Sequence, residues 1–297
     1  MSALRPDTST VGSAVTSVLT SVLTSAPTSV PTQVLMSPPP LRSVSLGRLH
    51  AHAVTFDESI ERIIDRVRGG QGGYVVTPTV DHICLGEHDA ELRTAYRNSF
   101  LAIPDGMPLL WIASALGSPL PAKVSGSDLL LPLMRRAAAE GLTVFFLGAT
   151  DATCTAAARR LSSLCPNLRV AGWASPAFDA LGDPTELEDA LEKVRASRPD
   201  LLLVAMGCPK QEYVLWRYLE RYAPAVGVGV GASLEFIAGT IRRAPTWMSE
   251  HGLEWLFRLG QEPARLWHRY LVRDRAIVGI VWRMRRDARR RRRTTTR

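Results

Sequence analysis

A chain of 297 residues with 46% hydrophobic and 22% charged side chains has enough apolar material for one large or two small domains with a sizeable core, which excludes disorder as the state of the whole chain. Its formal net charge of +8 asks for an anionic partner: nucleic acid, a membrane surface or a phosphate-bearing substrate. No stretch approaches the roughly 18 apolar residues of a spanning helix. Cys84, Cys154, Cys165 and Cys208 have neither the close pairing of a zinc site nor the density of a disulfide scaffold, so reduced, mostly buried thiols in a cytosolic protein are expected.

Residues 1–44 include "TSTVGSAVTSVLTSVLTSAPTSVPTQVLMSPPP", a Ser/Thr/Val/Pro stretch whose prolines forbid a continuous helix, and a disordered tail is predicted there. Hydroxyl residues interrupt every apolar run, which argues against a signal peptide. From about Ser45 the pattern becomes regular. "GYVVT" reads as a buried strand, "DHICLGEHDAELRTAYRNS" as a helix, "FLAI" as a strand and "GMPLLWIASALG" as a helix. "LTVFFLG", "LRVAGW", "PDLLLVAMG" and "AVGVGVG" continue the rhythm, each followed by a turn and a helix-length amphipathic segment. Such alternation predicts an α/β fold: a doubly wound, mostly parallel, Rossmann-like sheet with helices on both faces, spanning 45–243. A helical basic appendage over 244–297 follows.

Parallel sheets bind ligands outside the carboxyl ends of their strands, so the residues just after each strand matter most. Four such ends carry polar groups: Thr77-Pro78-Thr79, Pro104-Asp105-Gly106, Ala149-Thr150-Asp151 and Cys208-Pro209-Lys210-Gln211-Glu212. Asp105 has two readings, as the N-cap of the following helix or as an acid held in a tight Pro-Gly turn to do chemistry. The glycines of "GVGVGA", Gly227 to Ala232, lie too late in the chain for a dinucleotide fingerprint and lack its last glycine. They read instead as a close-packed strand-to-helix turn whose amides could face a phosphate. Asp89 and Glu91 are the nearest approach to a metal-binding acid pair, but a hard cation needs more converging oxygens than two, and no metal or cofactor is expected.

"TPTVDHICL", "LAIPDGMPLLW", "AKVSGSDLL", "VFFLGAT", "VAMGCPKQE" and "RRAPTWMSEHGLEWLFRLGQEPARLWHRYL" together resemble, in order and spacing, the WecG/TagA/CpsF glycosyltransferase family over about Gly47 to Leu271. The resemblance implies metal-independent, inverting transfer of a sugar, such as N-acetylmannosamine or a related hexose, from a UDP-sugar to a polyprenyl-diphosphate-linked sugar. It implies Asp105 as the base that deprotonates the acceptor hydroxyl, with Thr77, Thr79, Lys123 and Gln211 lining the substrate site. Lys123 stands where the family usually has arginine, so it can balance a phosphate without a bidentate fork. Thr79 replaces the asparagine of "T-x-N", and Glu235 replaces an aspartate common in the glycine block. His82 belongs to the "VDHICL" motif and is a secondary candidate.

The basic charge concentrates at the C-terminus. Arg258, Arg265 and Arg269 recur among Trp255, Leu256, Leu259, Leu266, Trp267 and Tyr270, followed by "AIVGIVWRMRRDARRRRR". A basic amphipathic segment suits an anionic membrane surface, as a polyprenyl-linked acceptor requires, so peripheral attachment to the inner face of the cell membrane is expected and nucleic acid is not. Arg258 and Arg265 are expected near the leaving diphosphate, with His268, where the family favours arginine, a minor contributor. The rival reading is a nucleotide- or nucleic-acid-binding α/β protein without transfer chemistry, which would need no base at Asp105.

Overall fold

The computed structural model describes residues 40–176 and 184–295, so the tail expected over 1–44 lies outside the described residues up to position 39, and its last two residues, Ser43 and Val44, belong instead to a strand. Strands β1 (Ser43–Leu46) and β2 (Leu49–His52) form an antiparallel hairpin turning at Gly47, whose φ of +64° favours a residue without a Cβ. The sequence reading missed this hairpin: "SVSL" and "LHAH" are four-residue segments with serine or histidine at alternate positions. Their inward residues Val44, Leu46, Leu49 and Ala51 are nevertheless fully buried.

The main sheet comprises β3 (Gly73–Val76), β4 (Leu101–Ala102), β5 (Thr143–Gly148), β6 (Arg169–Ala174), β7 (Leu201–Ala205) and β8 (Val226–Gly229). Their order is β4-β3-β8-β7-β5-β6, and every pairing is parallel. The predicted fold class is therefore the observed one. Strands buried on both faces read as continuous apolar runs. Val75, Leu101, Phe146, Leu203 and Val228 face one helical layer, while Tyr74, Val76, Phe145, Leu147, Leu202 and Val204 face the other.

Helices form where caps and periodicity agree. In Phe56–Arg68, Thr55 accepts the Glu58 N–H, Asp57 and Glu58 sit at the positive end, Arg66 and Arg68 at the negative end, and Ile60, Ile63 and Ile64 make the buried stripe. The single helix predicted over residues 81–99 is two, Val80–Gly86 and Ala90–Asn98. Asp89 breaks the run by capping the second, its Oδ1 2.8 Å from Leu92 N. Its Oδ2 accepts from the Tyr213 hydroxyl, and Glu91 pairs with Arg217, so both acids of the weak metal reading are engaged in packing. The basic C-terminal stretch folds as helix Ala276–Thr295. Its Ile280 packs in the cluster of Val44, Leu46 and Ile83, and its Arg283 pairs with Glu87 at 2.6 Å.

At the sheet edge, the β4 amide of Ala102 donates to His52 Nδ1 at 2.9 Å. That contact needs a neutral imidazole. Burial, with smaller contributions from the charges of His50 and Arg62, pushes the His52 pKa down from 6.5 to about 4. The unfolded chain then binds the proton more tightly, so this contribution is complete above about pH 6.5 and is lost as pH falls towards about 4. Denaturant melts of the wild type should weaken across that window, and His52→Gln, which keeps an acceptor but cannot titrate, should show a shallower fall. Parallel slopes would remove His52 from the account.

Candidate active site

The carboxyl ends of β4, β3, β8 and β7 lie consecutively across the sheet and carry residues singled out above. From β3 the chain runs outward to β4, whereas β5 and β6 lie on the opposite side of β3, so the connections diverge here, the arrangement at which parallel sheets bind ligands.

Asp105 follows β4. The N-cap of the next helix, Met107–Ala115, is Gly106, and no side chain caps it, so the capping reading of Asp105 fails. Gly106 has φ +100°, and the Asp105 N–H bonds Pro78 O at 2.9 Å, which ties the turn to the β3 loop. The carboxylate instead faces the start of helix Gly126–Ala139, with Oδ2 3.5 Å from Gly126 N. Burial, and then the charge of Glu254, push its pKa up to about 6, against the opposing Ser125 hydroxyl, Lys123 charge and Gly126 N–H. A carboxylate poised there takes a proton near neutral pH far better than an ordinary aspartate.

Lys123 sits beside this acid with its Nζ 2.8 Å from Ser249 Oγ and 3.5 Å from Asp128. Ser249 in turn donates to Glu254 at 2.9 Å. Ser249 and Glu254 come from the C-terminal region, so the site is built from both parts of the chain. Sequence reasoning missed them because a serine and a glutamate in a helical stretch do not stand apart from an ordinary helical surface.

A second network lies behind the first. Thr77 is buried and its Oγ1 is 3.4 Å from Gly229 O. Thr79 caps helix Val80–Gly86. Its N–H lies 3.2 Å and its Oγ1 2.8 Å from His82 Nδ1. The backbone donor makes Nδ1 the acceptor, so Nε2 carries the proton and donates to Glu212 Oε1 at 3.1 Å. Gln211 donates to the same oxygen at 2.8 Å and accepts from Gly231 N at 3.0 Å. The Gly231 amide is thus taken by Gln211, which leaves the close-packing reading of the glycines. A Cβ on Gly227 would lie 2.4 Å from Leu215 Cδ2, and one on Gly229 3.0 Å from Gln211 Nε2. His82 is buried and packed, as a lone helical histidine commonly is. Glu235 sits half-buried on helix Ser233–Ala238, where its carbonyl accepts from Gly239 N at 3.0 Å.

The C-terminal arginines divide. Arg258 is half-buried, its guanidinium 5.4 Å over the Phe236 ring. The backbone of Arg265 lies in helix Pro263–Trp267, but its side chain is outside the described residues. His268 is exposed and packs edge-on to Trp267. The pair that reaches inward is Arg269, which the sequence reading named in the basic run without giving it a role, and Arg273, which it did not single out. Arg269 Nε and Arg273 Nε, on the π-helix His268–Arg273, lie 3.0 and 2.6 Å from the carboxylate of Asp81, which is 1% exposed. Burial and the Asp81 charge push neighbouring Asp274 up to about 6. A signal existed: Arg269 and Arg273 are four residues apart, on one helical face, and Asp81 lies within the quoted "TVDHICL" block.

The sheet defines a doubly wound α/β protein, a class whose ligands bind at a topological switch point. Sequence comparison narrows the class to a glycosyltransferase: residues 44–292 match the Glycosyl transferase WecG/TagA/CpsF family, and the chain belongs to that family. It is 27% identical over 211 residues, 71% of this chain and 79% of the relative, to an N-acetylglucosaminyldiphosphoundecaprenol N-acetyl-beta-D-mannosaminyltransferase of Bacillus spizizenii. A protein of the same name from Bacillus subtilis is 28% identical over 183 residues, 62% of this chain and 69% of that one.

Proposed function

We propose that this protein moves N-acetylmannosamine or a related hexose from a UDP-sugar to a polyprenyl-diphosphate-linked sugar, inverting the anomeric centre without a metal, in the making of a cell-surface polysaccharide or teichoic-acid-type polymer. The observation that carries the reading is Asp105, a carboxylate that does not cap the helix following it, raised to about 6 at the switch point of the sheet. In direct displacement the acceptor hydroxyl attacks the anomeric carbon, its proton passes to Asp105, and the bond to the UDP oxygen breaks. Lys123 supplies positive charge for the departing diphosphate. Thr77, Thr79 and Gln211 shape the donor side, and the names of the two Bacillus relatives support the choice of sugar. A protein that only bound nucleotide or nucleic acid would have no use for a desolvated acid at this point.

Action on a lipid-linked acceptor places the enzyme at the inner membrane face. No helix among the described residues is long and apolar enough to cross a membrane, while Trp247, Trp267 and Trp282 are each more than half exposed on the basic C-terminal segment, the composition that anchors amphipathic helices in anionic interfaces. Purified protein should release UDP only when a UDP-sugar and a lipid-diphosphate N-acetylglucosamine are both present, with UDP-N-acetylmannosamine the best donor in a panel that includes UDP-glucose. Release that ignores the acceptor, or no release with any donor, overturns the reading. Chelator should leave the rate undiminished; a loss restored by magnesium or manganese would instead require a catalytic cation.

A further inference from the structure

His82 comes from one part of the chain and Cys208 and Glu212, four residues apart, from another, yet one ligand atom from each lies within 4.8 Å of the other two. Imidazole nitrogen, thiolate and carboxylate are the donor set that zinc and cobalt prefer, at about 2.0–2.3 Å from the ion. Glu212 is 0% exposed. Its Oε1 takes the donors from His82 and Gln211, whereas Oε2 has no hydrogen-bond partner. Among the described residues no lysine or arginine pairs with it. A buried carboxylate in that condition lacks the countercharge that normally accompanies one, and a cation would supply it. Cys208 is only half-buried, which leaves a way in.

We propose that His82, Cys208 and Glu212 form a site for a thiophilic divalent cation of the zinc type, and that its occupation opposes sugar transfer. The cation would take Cys208 as the thiolate, its proton leaving to solvent, and His82 at Nε2, so the imidazole proton moves to Nδ1 and is donated to Thr79 Oγ1, already 2.8 Å away. This is the usual outer-shell arrangement of a metal-bound histidine. The Thr79 N–H, now 3.2 Å from Nδ1, loses its acceptor. Glu212 Oε1 loses the His82 donor, and as the carboxylate turns Oε2 to the cation the Gln211 Nε2 bond to Oε1 is strained. Thr79 and Gln211 are the two donor-side residues of the proposed transferase site, and ion binding disturbs both. The inhibitory half of the proposal rests on that functional reading; the binding half does not.

Cobalt titration of the full chain separates them. One equivalent of Co2+ should give the wild type a near-ultraviolet thiolate-to-cobalt absorption and intense visible bands of four-coordinate cobalt. Both are expected to be absent from Cys208→Ser and from Glu212→Gln, which keep shape and polarity. Featureless wild-type spectra, or bands that survive in Cys208→Ser, overturn the site. In the UDP-release assay Zn2+ should inhibit the wild type and chelator should reverse it. Cys208→Ser should work at the normal rate and need at least about 100-fold more Zn2+ for half-inhibition, since even outer-shell losses cost about 10–100-fold in affinity. Cobalt bands together with zinc-insensitive transfer would overturn the inhibitory role alone. Cobalt bands in a protein that transfers no sugar would uphold the site and count against the transferase reading.

Discussion

Asp105→Asn lowers turnover by about 10²–10⁴-fold, the usual range for loss of a general base, while donor binding survives because the amide keeps size and polarity. In the wild type, kcat/KM should climb as pH rises through about 6, where Asp105 ionises, and this limb should vanish from the residual rate of the variant. Stability gives an independent check with the opposite sign from a capping role. The folded-state pKa lies above the ordinary 3.8, so the folded protein holds the proton more tightly than the unfolded chain. Stability therefore falls as pH rises between about 3.8 and about 6 and stays at the lower level above it. At neutral pH the variant should be the more stable protein, by up to about 3 kcal/mol on a shift of roughly two units. Removing a helix cap would instead cost about 0.5–2 kcal/mol. A correctly folded variant that is less stable and nearly fully active would return Asp105 to a structural part.

Arg258→Ala should cost about 10²–10³-fold in kcat/KM, the range seen when one donor to a developing negative charge is removed. Its Nε is buried without a hydrogen-bond partner while its guanidinium lies over Phe236, so a donor is held in place and left unused, as a group awaiting the leaving diphosphate would be. Arg265→Ala is expected to behave alike. Measurement on a soluble acceptor analogue isolates chemistry from membrane attachment, and normal turnover of both variants there would reduce the segment to an anchor. Removing residues 285–297, "RRDARRRRRTTTR", should do the converse: sedimentation with anionic vesicles weakens by up to about 1 kcal/mol per basic residue near the surface, and the soluble reaction proceeds. Cutting after Gly252 is a poorer experiment than it looks from the sequence. It removes Leu266 and Ile280 from the core and Glu254 from beside Asp105, so lost activity would not single out the arginines.

Much of the sheet was legible because a strand buried on both faces must be apolar at every position. "LLLVA" at Leu201–Ala205 is buried throughout and could be nothing else in so short a run. The hairpin β1–β2 escaped notice for the complementary reason: half of each strand is polar, and four residues are too few for alternation to stand out. The split between Val80–Gly86 and Ala90–Asn98 was hidden because Asp89 fits a continuous amphipathic pattern as well as it fits a cap. Only its bond to Leu92 N distinguishes the two.

By itself the sequence determined the alternation of strand and helix, the set of strand ends where polar residues collect, and Asp105 as the acid held between proline and glycine. These are local facts, settled by periodicity and turn chemistry within a dozen residues. Tertiary structure alone decided what that acid faces. It denied Asp105 its cap, set Glu254 and Lys123 around it, joined His82 to Glu212 across 130 positions, and closed Arg269 and Arg273 onto buried Asp81. Such convergence follows from the order of strands in the sheet and the return of the C-terminal helices over it. No periodicity records that order, because burial dictates which residues turn inward but not which distant residue they meet there.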